Sequence, residues 1–176
     1  MSGHLFFELY GGAGFIGSAL VRELINDSEH RVVNVDKLTC AGKLESLALI
    51  EDIPRYRFEK EDITDKTAMK RIFENFEPDA VIHLAAESNV DRSIDGPAEF
   101  INTNIIGTYT LLETAREHLA KRKNGNTSGF RFIHVSTDEV YDSLGKEGLF
   151  KETSPYQTNS SYSASKASAD HLARAW

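Results

Sequence analysis

The stretch GGAGFIG, residues 11–17, constrains the fold of this chain more than any other. It joins an apolar run, Leu5–Tyr10, to a segment, Phe15–Ile25, whose Ile16, Leu20 and Leu24 recur at helical spacing. A strand that passes through glycines straight into a helix has room only for a tight βα turn. The alternation continues. Arg31–Asp36 and Tyr56–Glu59 predict strands, and Asp65 predicts the cap of a helix over Lys66–Phe76 with Met69, Ile72, Phe73 and Phe76 inward. Ala80–Ala85 predicts a fully apolar strand, Ala98 to about Leu119 a long helix, and NGNTSG (124–129) a loop. Phe130–Ser136 predicts another strand and Ser161–Trp176 a final helix. Short, continuously apolar strands that alternate with helices belong in a parallel sheet covered on both faces. Right-handed crossovers then give an α/β, doubly wound sheet with strand order 3-2-1-4-5. Residues 1–176 are expected to be one incomplete domain, truncated before a sixth strand, because the sequence stops inside the last helix.

Composition narrows the function. A hydrophobic content of 40% with 27% charged residues is that of a soluble globular domain. The net charge of −7, with no basic stripe, argues against a nucleic-acid partner. Cys40 is the single cysteine, so no internal disulfide can form and a reducing compartment, the cytoplasm, is expected. Leu5–Val21 carries Glu8 and several glycines and lacks a basic leader, which argues against a signal peptide or a membrane span. The six histidines show no metal-ligand spacing, and His83 and His134 are expected to be packed core residues.

The glycines admit two readings. Gly12-x-Gly14-x-x-Gly17 is the dinucleotide fingerprint of Rossmann-like folds, and Gly11-x-x-Gly14-x-x-Gly17 is the spacing of short-chain reductases. Either lets backbone approach a pyrophosphate at a helix N-terminus. Asp36, 19 residues after Gly17, would accept bonds from the adenosine ribose and repel a 2′-phosphate, which favours NAD over NADP despite the neighbouring Lys37. Asp62 and Ile63 follow the third strand, where an adenine edge would lie. Leu84, Ala85 and Ala86 end the fourth strand with small residues, suited either to a passing ligand or to tight packing.

YSASK places Tyr162 and Lys166 on one helix face, one turn apart. An ammonium beside a phenol is expected to lower its pKa from about 10 toward that of a usable base. STDEVY adds hydroxyls and two adjacent carboxylates, Asp138 and Glu139, which must lie where the strand has ended if both are to face one site. Their mutual repulsion is expected to keep one protonated.

Together, GGAGFIG, VDKLTCAG, HLAAESNVDRSIDGP, STDEVY and YSASKASADHL resemble the extended short-chain dehydrogenase/reductase superfamily and, within it, the dTDP-glucose 4,6-dehydratase family. The resemblance runs from about Leu9 to Trp176 and covers about the N-terminal half of such enzymes, which implies that their C-terminal nucleotide-sugar (substrate) domain is absent from this sequence. Epimerases of the superfamily carry small neutral residues in place of Asp138 and Glu139, and GDP-mannose dehydratases typically have Ser before the Glu. The resemblance implies that Tyr162 takes the proton of the sugar 4-hydroxyl while hydride leaves C4 for NAD. Thr137 would bond that hydroxyl and Lys166 support the phenolate. Glu139 would be the base at C5 and Asp138 the acid for the departing C6 hydroxyl, giving dTDP-4-keto-6-deoxyglucose for deoxysugar biosynthesis. It further implies Phe15 and Ile16 over the pyrophosphate, Asp36, Lys37, Leu38 and Thr39 at the adenosine, Thr103 on the cofactor and Ser88 on the substrate. A homodimer through helices near 98–119 and 161–176 is implied as well. UDP-glucose as substrate and a non-catalytic NAD-binding fragment are the alternatives, and the isolated chain is expected to be inactive.

The chain departs from that pattern in four places. Glu8 and Tyr10 replace an apolar residue and a threonine in the first strand, where an unpaired carboxylate would cost several kcal/mol or be neutralised. Asp142 stands where a glycine is usual, Asn89 replaces a histidine, and Cys40 replaces an aromatic residue.

Overall fold

The computed structural model describes residues 4–89, 93, 96–122, 129–145 and 148–176. Of the stretches named above, 124–128 of the turn-rich loop and Val90, Asp91, Arg92, Ile94 and Asp95 of HLAAESNVDRSIDGP lie outside the described residues.

Five parallel strands form one sheet: β1 (Phe6–Tyr10), β2 (Arg31–Val35), β3 (Tyr56–Glu59), β4 (Ala80–His83) and β5 (Arg131–His134). Their order is β3-β2-β1-β4-β5, as right-handed crossovers require. Helix α1 (Phe15–Asn26) packs on one face, where Val21 and Ile25 meet Leu9, Val32 and Ile82. On the other face α2 (Lys66–Phe76) sets Met69, Ile72 and Phe73 against Val33, Val35 and Val81. The Asp65 carboxylate caps α2 by accepting from the N–H groups of Thr67 at 2.9 Å and Ala68 at 3.0 Å.

The inward stripe of α1 differs from the expected one. Ile16 is 64% exposed, and Leu20 and Leu24 only flank the core. Gly17 fixes the rotation of the helix: a Cβ there would lie 2.2 Å from the Gly11 carbonyl oxygen, so its bare face turns to the glycine turn and carries Val21 and Ile25 inward. The long helix expected from Ala98 is three pieces. They are α3 (Pro97–Phe100), a π-helical stretch Ile101–Gly107, and α4 (Thr108–Lys121). The wider turn buries Thr103, Asn104 and Gly107 together, with Gly107 against Ile63. Helix α5 (Ser161–Ala175) packs beside α4 and the π stretch.

Three strands end sooner than expected, β2 by one residue at Val35 and two others by two residues. β4 stops at His83 and β5 at His134, although Leu84 and Val135 still donate to Tyr10 and His83 of the neighbouring strands. β5 is also not covered on both faces, since Ile133 is 47% exposed.

The pair that breaks the first-strand pattern is resolved by mutual contact. Glu8 and Tyr10 are both fully buried, and the Tyr10 hydroxyl donates to Glu8 Oε2 at 2.8 Å. Burial raises the Glu8 carboxyl to about 8, against a smaller opposing effect of that bond. Burial, with Glu8 beside it, raises the Tyr10 phenol well above its ordinary value. Glu8 is therefore held as a neutral acid in the core at neutral pH. His83 is a core histidine as expected. Its Nε2 lies 2.9 Å from Thr108 Oγ1, and that hydroxyl donates to the Asn104 carbonyl, so Nε2 carries the proton. Burial, together with the charges of His134 and Lys166, pushes the His83 pKa well down.

Candidate active site

All the strand ends that matter open on one side of the sheet, at the C-terminal edge where crossovers diverge. Gly11 leaves β1 with φ +83°, and a Cβ there would lie 2.6 Å from the Ala85 nitrogen. The small Ala85 and the glycine are thus one contact, which brings the ends of β1 and β4 together. The positive φ falls on Gly11, so Gly11-x-x-Gly14-x-x-Gly17 is the spacing that describes the turn. Helix α1 begins after Gly14 with no side-chain cap, which leaves its first N–H groups without an intrahelical or side-chain acceptor. Phe15 is 95% exposed above them.

Beside this turn lies a cleft of about 360 Å³. Its lining includes the glycine turn (Gly11, Gly14, Phe15, Ile16, Gly17) and Asp36, Lys37 and Thr39 after β2. It also includes Ile63 after β3, Leu84, Ala85, Ala86 and Ser88 after β4, Thr103 of the π stretch, and Tyr162 and Lys166 of α5. The fold thus gathers most of the expected cofactor residues around one volume. Leu38, Asp62, Thr137, Asp138 and Glu139 do not line it. Leu38 takes a left-handed φ of +58°, and its N–H donates to Asp36 Oδ1 at 2.8 Å. Asp36 Oδ2 accepts from the Ala13 N–H at 3.0 Å, so this carboxylate is locked against the glycine turn. Asp62 turns toward Lys37, 3.6 Å away.

The acid–base end is built where β5 stops. Thr137 lies just past the strand, and its hydroxyl accepts from the Glu139 N–H at 3.3 Å, capping a short 3₁₀ turn over Asp138–Tyr141. The two carboxylates are therefore on a turn, as two acids facing one site require. Asp142 closes the turn at φ +77°, ψ −152°, in the region that favours glycine, and Asn159 Nδ2 donates to its carboxylate at 2.5 Å. Opposite, Ser160 and Ser163 form a capping box that starts α5 and puts Tyr162 in its first turn.

Lys166 and Tyr162 are both almost fully buried. The Lys166 ammonium donates to the Val135 carbonyl at 2.7 Å. Burial lowers Lys166 to about 8, and the Asp170 carboxylate opposes this. The Tyr162 phenol is raised rather than lowered, first by burial. The Thr137 hydroxyl pulls it down, while the charges of Glu139, Asp138 and Asp170 push it up. The expected lowering is not seen in the protein alone because burial of the phenol outweighs it, and the ammonium is engaged by the Val135 carbonyl just past β5.

Three residues here carry no local sequence signal. Asp170 accepts from Ser136 Oγ at 2.5 Å and from Tyr156 Oη at 3.0 Å. His134 Nε2 is 3.2 Å from the same carboxylate, too poorly aligned for a hydrogen bond. Asn104 bonds both the N–H and the carbonyl of Glu87 and reaches Ser165 between Tyr162 and Lys166. Glu87 lines the cleft and lies 3.7 Å from Lys37. Their partners come from other elements, so only the tertiary fold pairs them.

Residues 9–176 match the family model of GDP-mannose 4,6 dehydratase. The chain belongs to this family. A relative from Neisseria meningitidis serogroup B, dTDP-glucose 4,6-dehydratase, is 58% identical over 167 residues, covering 94% of this chain and 47% of the relative. Among solved structures, DesIV, the dTDP-glucose 4,6-dehydratase of Streptomyces venezuelae crystallised with NAD, superposes with a TM-score of 0.86 at 43% identity, over 97% of this chain and 51% of its own. The UDP-glucose 4-epimerase of Thermotoga maritima superposes nearly as well, with a TM-score of 0.82 at 33% identity over 97% of this chain and 50% of its own. The family model is named for GDP-mannose enzymes, whereas the relative at 58% identity is a dTDP-glucose enzyme. The chain spans about half the length of the relatives it matches. Among the described residues, no helix is long and apolar enough to cross a membrane.

Proposed function

We propose that this chain carries the NAD-binding part and the acid–base residues of a dTDP-glucose 4,6-dehydratase. The observation that carries the reading is the turn Thr137–Asp138–Glu139, set at the end of β5 close enough to Tyr162 for both carboxylates to act on its phenol. Epimerases share the fold, so the acidic turn is what distinguishes water removal from oxidation and re-reduction alone.

The cleft fits a dinucleotide: an uncapped helix N-terminus for the pyrophosphate, a close-packed glycine turn, and Asp36 held where a ribose would lie. NAD, when bound, supplies a hydride acceptor for C4 and a hydride donor for C6. Tyr162 then takes the proton of the sugar 4-hydroxyl, with Thr137 bonded to that oxygen. The phenol, raised in the protein alone, needs a cation to reach a working pKa, and a bound nicotinamide would add one. Glu139 removes the C5 hydrogen once C4 is a ketone, and Asp138 protonates the departing C6 hydroxyl. Ser88 is the residue proposed to meet substrate, a reading supported by its being exposed and lining the cleft. Ile101, Ile106, Tyr109 and Trp176 expose apolar surface around the π stretch, α4 and the end of α5, which supports a homodimer through these helices. Residues that read the nucleotide base are assigned to the part of the relatives this chain does not span.

The test compares this chain alone with the same chain joined to the C-terminal half of the Neisseria meningitidis relative. With dTDP-glucose and NAD, only the joined protein is expected to form the 4-keto-6-deoxy sugar, and faster than from UDP-glucose. Turnover by the 176-residue chain, or none by the joined and folded protein, would contradict the proposal.

A further inference from the structure

We infer that Glu87, with Asp62, sets the preference for NAD over its 2′-phosphorylated form by engaging Lys37 in ion pairs, so that its charge is not free to meet a 2′-phosphate. This rests on the cleft being a dinucleotide site. The sequence after β2 gives opposed signals. Asp36 repels a 2′-phosphate, while Lys37 is one residue on, where a cation can attract it.

The fold settles the opposition. Lys37 Nζ lies 3.6 Å from Asp62 Oδ2 and 3.7 Å from Glu87 Oε1, and it donates to Thr103 Oγ1 at 3.3 Å. One ammonium therefore bridges the segments after β2, β3 and β4 and the π stretch. Other nearby acids are engaged elsewhere. Glu61 pairs with Arg71, and both Asp36 oxygens accept backbone N–H groups.

Glu87 is the firmer of the two anchors. Its N–H donates to Asn104 Oδ1 at 2.9 Å and its carbonyl accepts from Asn104 Nδ2 at 3.0 Å, and Asn104 is itself buried. Its side chain is 16% exposed against 38% for Asp62, so salt screens its attraction for Lys37 less. With Lys37 shared between two carboxylates, the charge presented beside the ribose is that of Asp36. A 2′-phosphate there meets the Asp36 carboxylate, while Lys37 is engaged by its two acids.

The test measures dissociation constants of NAD and NADP by calorimetry on the chain itself. Glu87→Gln keeps the side-chain shape and releases Lys37. It is expected to tighten NADP relative to NAD by about tenfold, and Asp62→Asn to act the same way more weakly. Adding Lys37→Met to Glu87→Gln is expected to abolish the gain, which separates release of the lysine from simple loss of a negative charge. An NADP-to-NAD ratio within about twofold of the wild type in both Glu87→Gln and Asp62→Asn, or a gain that survives Lys37→Met, would overturn the inference while leaving the dinucleotide site standing. A wild-type chain that binds neither nucleotide would overturn both.

Discussion

Replacing Glu8 by leucine takes a buried acid out of the middle strand of the sheet, and its effect should depend on pH in a defined direction. The carboxyl titrates at about 8 in the fold against 4.5 in a free chain. An acid whose pKa is raised by folding gives its full stability below the free value. That stability is then lost as pH climbs through the window from 4.5 to about 8. Each pH unit inside the window is worth roughly 1.4 kcal/mol. From pH 5 to pH 7.5 the wild type should therefore lose on the order of 3 kcal/mol relative to Glu8→Leu. The substitution also leaves the buried Tyr10 hydroxyl without its acceptor, a cost of about 1–3 kcal/mol that is the same at every pH in this range. The slope of the difference is thus the diagnostic quantity. Urea unfolding of both proteins at half-unit steps measures it. A difference constant across that range, or a wild type that gains on the variant as pH rises, would refute the neutral, buried state of Glu8.

Asp142→Gly should relieve the backbone at φ +77° by about 1–3 kcal/mol and forfeit the Asn159 bond, worth about 1 kcal/mol. A net gain in thermal midpoint is expected, and a fall would show that the Asn159 bond holds the turn. Lys166 should titrate near 8 by side-chain nitrogen NMR, where exposed lysines titrate near 10.4; a midpoint above 10 would contradict its burial against Val135. Tyr109→Lys should convert a dimer to a monomer in light scattering if the exposed apolar helices pair, and an unchanged dimer would place the interface elsewhere.

The sequence made the local features legible and left the crossings between elements hidden. Helix α2 matches its expected bounds because its cap, Asp65, and its stripe are set within a few residues. Strand β3 matches for the same reason. The rotation of α1 was not legible, since Gly17 must face Gly11 and this contact overrides the apolar spacing of Ile16, Leu20 and Leu24. The π stretch was hidden because nothing local in INTNIIG marks a wider turn, and its single glycine, Gly107, is tolerated within an ordinary helical pattern. Within it Gly107 packs closely on Ile63, which follows β3, a contact between elements far apart in the sequence. At the site, the spacing of Tyr162 and Lys166 put both on α5, but the partner of Lys166 is the Val135 carbonyl just past β5. Glu87 looked like an ordinary acid after β4, and only strand order brings Lys37 to it across β1.

Water loss across C5–C6 is assigned to Asp138 and Glu139, and the most direct measurement separates that step from oxidation at C4. In the chain joined to the C-terminal half of the Neisseria meningitidis relative, Asp138→Asn and Glu139→Gln are each introduced alone. Stopped-flow absorbance follows reduced nicotinamide, and mass spectrometry follows the dehydrated sugar. Each variant is expected to form the dehydrated sugar roughly 10²- to 10⁴-fold more slowly while still reducing nicotinamide. Dehydration at the wild-type rate in both variants would contradict the assignment, as would loss of C4 oxidation in the same proportion as loss of water.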